Sequence, residues 1–430
     1  VNSTEKAEPP DSDVSPDSRR SDASGAVEAV WRIESGKVIA TLARMVGDVS
    51  LAEDLAQDAL VAALEQWPQS GIPRNGGAWL TATAKRRAID GWRRNERLWS
   101  KYAELAHQLE TEPDGVPDPD EVTIDDDLLR LVFIACHPVL SRDARVGLTL
   151  RMLGGLTTEE IARAFLATTP TIAQRITRAK RTLSAARVPF ELPEKAEIPA
   201  RLDSVLEVIY LVFNEGYAAT SGDDWMRPEL CSEAMRLGRV LAGLMPDQSE
   251  VHGLVSLMEL QASRTAARID RRGEPVLLLE QDRSRWDQLL IRHGLAALRQ
   301  AEGCTGPLGS YSLQASIASC HAVARTPEQT DWVRIAALYD ALVQLTRSPV
   351  VELNRAVAVG MAYGPARGLG IVDSLKAAGL LSGYHLMPAV RGELLARLGR
   401  DDEARAEFRD AASLTQNERE KSVLQRRAGD

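Results

Sequence analysis

Apolar residues recur at helical spacing along most of the chain, and no segment shows the sustained alternation of a half-buried strand. Leu51, Leu55, Ala59, Ala62 and Ala63 fall on one face of a predicted helix, with Glu53, Asp54, Gln57 and Asp58 on an acidic face. Further on, Ile172, Ile176, Ala179 and Leu183 step by four, three and four, which makes one apolar stripe. Thr171, Gln174, Arg175, Arg178 and Arg181 lie on the other side of that helix. Just upstream, Thr157 and Glu160 have the spacing of a capping box, which starts a helix whose Ile161 and Phe165 share a face. Leu166 to Thr169 makes a short turn, and Pro170 suits the first position of the following helix. The pattern predicts a helix-turn-helix, although its turn contains no glycine.

Proline, glycine and charge divide the chain. Residues 1–24 are polar and rich in Ser, Pro and Asp, and are expected to be a disordered tail. A helical unit is expected over 25–102 and an acidic linker over 103–126. From Glu104 to Asp127 there are ten acidic residues and no Lys or Arg, and Pro113, Pro117 and Pro119 oppose a long helix there. A compact helical unit follows over 127–188, then a second linker over 189–199 marked by Pro189, Pro193 and Pro199. Residues 200–430 read as helices separated by Gly- and Pro-bearing turns. Near the end, Gly392, Leu395, Ala404, Phe408 and Ala411 fall at tetratricopeptide-repeat spacing, with Gly399 at the turn. The segment from Val351 to Leu375 matches that pattern weakly, so helical-repeat packing is expected without a demonstrated regular array.

Composition agrees with an all-α protein: aromatics are only 5% of the 430 residues, while Ala, Leu and Arg are frequent. The net charge of −9 argues against a generic polyanion binder, yet the basic charge is concentrated. Thr168 to Pro189 holds five basic residues and no acidic one. On a short helix, Arg can pair with guanine and Gln with adenine in the major groove. Lys85 to Lys101 holds seven basic residues against two acidic ones, with Trp79, Trp92, Trp99 and Tyr102 nearby. Aromatics that stack on bases and cations that neutralise phosphate suit single-stranded DNA and melted junctions. Equally, Trp79 and Trp92 read as core aromatics.

Cys136, Cys231, Cys304 and Cys320 lack ligand spacing, and His252, His293, His321 and His385 are isolated. No metal site, cofactor or catalytic residue is expected, since no nucleophile elbow, phosphate loop or HExxH appears. No apolar run approaches the ~18 residues a membrane span needs, and the start lacks the features of a signal peptide. A cytoplasmic protein without a membrane partner is the expectation.

Three motifs carry a family resemblance. Glu53-Asp-Leu-Ala-Gln-Asp58 resembles region 2.2 of extracytoplasmic-function (ECF) sigma factors of the sigma-70 family. Ala78-Trp-Leu through Ala88-Ile-Asp-Gly-Trp-Arg-Arg94 resembles their regions 2.3 and 2.4, and Leu156-Thr-Thr-Glu-Glu-Ile-Ala through Lys180-Arg-Thr-Leu183 their region 4.2. The resemblance implies a region 2 bundle, an acidic linker and a region 4 helix-turn-helix. It further implies core RNA polymerase as partner, through its β′ clamp helices and β flap, together with promoter DNA. By position, Glu53, Asp54, Gln57 and Asp58 would meet the polymerase. Trp79, Arg86, Asp90, Arg93 and Arg94 would meet the −10 element, and Thr171, Gln174, Arg175, Arg178, Lys180 and Arg181 the −35 element, with Lys180 and Arg181 on phosphate.

The remainder is similar to the tetratricopeptide-like tail of one ECF subgroup, through Leu211-Val-Phe-Asn-Glu-Gly-Tyr217, Glu229 to Leu237 and Val351 to Ala358. Members of that subgroup typically sit beside a small YCII-related protein, which the resemblance adds as a partner. A helix-turn-helix activator with a helical-repeat sensor is the competing reading. It accounts for Thr157 to Leu183 and the tail, but not for the Asp54 and Trp79–Arg94 segments.

Overall fold

The computed structural model describes residues 16–94, 121–165, 167–194, 196–217, 228–270, 276–415 and 418–429. Its regular elements among the described residues are α-helices and a few short 3₁₀ turns joined by loops, and they divide into two compact units. The first comprises residues 1–161 and 169–202, and the second comprises 162–168 and 203–430.

The first unit is built on a long helix, α1 (Pro16–Val46), which packs against α2 (Val49–Ser70), α3 (Gly76–Arg94) and α4 (Glu121–Ala135). Val27, Trp31, Val38, Ile39, Leu42 and Val46 supply the buried stripe of α1. Asp48 caps α2, its carboxylate accepting from the Ser50 and Leu51 amides at 2.7 and 3.1 Å. Asn75 begins α3 in the same manner, accepting from the Ala78 amide at 2.9 Å. The chain turns tightly there: a Cβ on Gly76 would lie 2.7 Å from Val30 Cγ1 and 3.1 Å from Trp67. Glycine is what lets α3 approach α1 so closely.

Two expected boundaries differ. Helix α1 starts at Pro16, inside the stretch expected to be a disordered tail. Proline at a helix start costs no hydrogen bond, because the first amides have no helical acceptor. Helix α4 starts at Glu121, inside the expected acidic linker, because acidic residues suit a helix N-terminus. Residues 95–120, with Trp99, Tyr102 and the rest of that linker, lie outside the described residues.

The helix-turn-helix follows as α5 (Arg142–Met152), α6 (Thr158–Ala164) and α7 (Thr169–Ala185). The capping box forms as expected: the Thr157 amide donates to Glu160 at 2.8 Å, and the Glu160 amide donates to Thr157 Oγ1 at 3.1 Å. The turn closes without glycine by a bond from the Ala167 amide to the Ala162 carbonyl, 2.9 Å, and no described residue of it has positive φ. Ile172, Ile176, Ala179 and Leu183 are buried, as their spacing predicts.

Helix α8 (Ile198–Tyr217) runs into the second unit, where most helices pack on their neighbours in sequence. These are α9 (Pro228–Leu244), α10 (Ser249–Ala262), α11 (Gln288–Gly303), α12 (Ser310–Val323) and α13 (Trp332–Thr346). They continue as α14 (Pro349–Tyr363), α15 (Pro365–Ala377), α16 (Leu386–Arg397), α17 (Asp401–Leu414) and α18 (Glu418–Ala428). Neighbour-on-neighbour packing is the arrangement of a helical-repeat domain. Leu395, Ala404, Phe408 and Ala411 join one core with Leu353, Ala356, Leu369, Val372 and Leu375. Gly392 lets α16 and α17 touch: a Cβ there would lie 3.0 Å from the Phe408 ring and 3.2 Å from the Ala404 carbonyl oxygen. Gly368 does the same for α14 and α15, its added Cβ falling 2.5 Å from the Ala356 carbonyl oxygen. Gly399, at the turn, has φ +73. Cys136, Cys231 and Cys320 are buried as small core side chains, and Cys304 is half-buried. No described helix is long and apolar enough to cross a membrane.

Candidate polymerase and nucleic-acid interface

Three helices of the first unit carry the expected site residues. On α2, the apolar face of Ala52, Leu55, Ala56, Ala59, Ala62 and Ala63 is buried, which turns part of the acidic face outward. Asp54 and Asp58 are exposed, with side chains 72% and 63% accessible, and Gln57 is half-buried. Glu53 departs from this group because its side chain is only 4% accessible. Its carboxylate accepts from Arg151 Nε of α5 at 3.0 Å and from Lys180 Nζ of α7, so a charge expected to face solvent is buried and ion-paired. A buried carboxylate requires such partners, since desolvating it alone is costly.

On α3, Trp79 is half-buried and meets Trp67 edge-on at 5.4 Å, so it takes part in packing and keeps some exposure. Arg86 is exposed, and its Nε donates to the Ala82 carbonyl at 3.3 Å. Asp90 is exposed one helical turn further on. The backbone of Arg93 and Arg94 continues α3, while their side chains and that of Trp92 lie outside the described residues. Arg87, not among the expected residues, ties α3 to α2 by donating to the Asp58 carbonyl at 2.5 Å.

On α7, Thr171, Gln174, Arg178 and Arg181 are exposed along the side opposite the buried stripe. Arg175 is less open, with Nη2 3.4 Å from Asp143 of α5. Lys180 stands apart. It follows Thr171 by nine residues, and at ~100° per residue this places it half a turn away. Its side chain is 16% accessible and its ammonium reaches Glu53 and, at 3.4 Å, Asp54. The structure thus brings Thr171, Gln174, Arg178 and Arg181 together and sends Lys180 to the acidic helix. Sequence reasoning missed Arg151, Arg32 and Arg87. Arg32 of α1 pairs with Glu160, the capping-box glutamate.

Residues 32–98 match the sigma-70 region 2 family, residues 130–183 match sigma-70 region 4, and residues 201–302 match a family of unknown function, DUF6596. An uncharacterized protein of Rhizobium meliloti (strain 1021) is 42% identical over 390 residues, covering 90% of this chain and 92% of that protein. A probable ECF RNA polymerase sigma factor, SigI, of Mycobacterium tuberculosis is 27% identical over 196 residues, covering 43% of this chain and 67% of that protein. No solved structure matches the chain. With region 2 and region 4 in order ahead of a helical C-terminal extension, the chain is an ECF-like protein of the sigma-70 family, and its general function is that of the family, binding core RNA polymerase and recognising promoters.

Proposed function

We propose that this protein is an ECF sigma factor of the subgroup with a tetratricopeptide-like tail, in which α2 docks on polymerase, α3 engages the −10 element and α7 reads the −35 element. The observation that carries the reading is the two-sided α7: Ile172, Ile176, Ala179 and Leu183 are buried while Thr171, Gln174, Arg178 and Arg181 are exposed. A helix held by its apolar side and presenting Gln and Arg on the other is built for a major groove. Exposed Asp54 and Asp58 suit a basic surface on the β′ clamp helices, and region 4 would meet the β flap. Trp79, Arg86, Asp90, Arg93 and Arg94 fit a partly melted −10 element.

The tail is assigned a regulatory role, with a small YCII-related protein as the first partner to test by co-purification. Run-off transcription from a promoter library with core polymerase tests the main reading. The chain alone should convert core polymerase into a promoter-specific enzyme, which a helix-turn-helix activator cannot do. Arg178→Ala should alter −35 preference by about 1–3 kcal/mol at one base pair. Equal activity of every promoter with that variant would displace the recognition face.

A further inference from the structure

We propose that a cleft between α14 and α15 of the second unit is a binding site for a carboxylic acid with an apolar body, its carboxylate held by Arg367. The cleft has a volume of about 410 Å³ and is lined by Glu352 and Arg355 of α14, by Arg367, Ile371 and Leu375 of α15, and by Leu380 just beyond it. Clefts that take small molecules run from ~300 to ~1,000 Å³ and are mostly apolar with a few placed polar groups. Arg367, Ile371 and Leu375 follow one another at four-residue steps, so one helical stripe carries charge at one end and apolar surface at the other. The apolar end is continuous with the core: Leu375 is buried, Ile371 is half-buried and Leu380 is exposed. Gly370 leaves the wall beside them open, because a Cβ there would meet nothing within 4 Å.

The polar groups select the sign of the ligand. Arg355 is fully engaged: its Nε and Nη2 donate to the two oxygens of Glu352 at 2.8 and 2.7 Å, and its Nη1 donates to Asp340 of α13 at 3.0 Å. With both Glu352 oxygens taken, the lining has no free carboxylate to attract a cation. The Ser374 hydroxyl donates to the Gly370 carbonyl at 2.8 Å. Arg367 differs, since no carboxylate among the described residues is within ion-pair reach of it, and its guanidinium stands 5.8 Å from the Tyr363 ring. A ligand that covers this guanidinium takes water from it and must supply the opposite charge. A carboxylate does so with two parallel hydrogen bonds to the planar fork. A phosphate dianion would need a second free cation, which the lining lacks. The rest of the ligand then lies on Ile371, Leu375 and Leu380, where apolar surface leaves water. A free acid offers this chemistry, and so does the last residue of a peptide that ends in an apolar side chain.

The test titrates para-fluorohydrocinnamate with the full chain and follows the probe by fluorine NMR. Saturable binding is expected. Arg367→Gln should weaken it about tenfold. Gly370→Leu puts a side chain into the open wall and should weaken it at least as much. Arg367 is exposed, so Arg367→Gln keeps the test alive if Gly370→Leu loses its helical circular dichroism. Hydrocinnamamide has the same body without the charge, and acetate has the charge without the body. Neither should displace the probe. An acetylated peptide ending in leucine, with a free or an amidated terminus, tells the two sources apart. Displacement by the free terminus more strongly than by hydrocinnamate assigns the site to peptide ends, and weaker displacement assigns it to free acids. A probe that never saturates the chain overturns the proposal. So does binding that survives Arg367→Gln or a folded Gly370→Leu, or displacement by the amide as readily as by the acid.

Discussion

Replacing Glu53 with glutamine keeps the shape of the side chain and removes its charge. Arg151 and Lys180, with side chains 18% and 16% accessible, would then face a neutral amide. Breaking a buried pair by removing one partner costs about 3–5 kcal/mol. Two features place Glu53→Gln below that range. Both cations keep some water, and Lys180 retains Asp54 at 3.4 Å. The glutamine oxygen also still accepts one hydrogen bond. About 2–3 kcal/mol of the first unit's stability should be lost. Because two compact units need not melt together, a whole-chain melting point is the wrong measure. Hydrogen exchange by mass spectrometry resolves them: amides of α2, α5 and α7 should lose protection while those of α14 to α17 do not. Glu65→Gln, exposed on the same helix, serves as control and should stay within about 0.5 kcal/mol. A double-mutant cycle of Glu53→Gln with Arg151→Gln should return a coupling of roughly 1–3 kcal/mol. If Glu53→Gln matched Glu65→Gln and the coupling vanished, the ion pairs would contribute nothing and the reasoning from burial would be wrong.

Other perturbations test other parts. Asp54→Ala should weaken polymerase binding and leave −35 preference alone, as run-off transcription at several polymerase concentrations would show. Phe408→Ala removes a ring that is 3% accessible and packed on Gly392, so urea unfolding should show a loss of about 3–5 kcal/mol in the second unit. His321 gives a pH dependence. Burial, reinforced by Arg264 and Arg283, lowers its pKa from 6.5 to about 4. The unfolded chain thus takes up a proton as pH falls through 6.5 and the folded chain does not. The stability tied to this group is full above pH 6.5 and declines towards pH 4, by about 3 kcal/mol. The ring meets Trp332 edge-on at 5.2 Å, so His321→Phe fits the space and should flatten that decline in urea midpoints measured at several pH values.

What was legible in the sequence is what short-range geometry decides. The Ile172–Leu183 stripe and the Thr157–Glu160 box each span one or a few helical turns, and both appear in the structure as their spacing requires. The Gly392, Ala404 and Phe408 pattern is equally local, since a two-helix hairpin must bring those positions together. Glu53 is the counter-example. Its place on a polar face is periodic and readable, but its partners lie 98 and 127 residues away and no period points to them. The helix start at Pro16 was missed for a related reason, because composition weighs Ser, Asp and Pro against helix without regard to position.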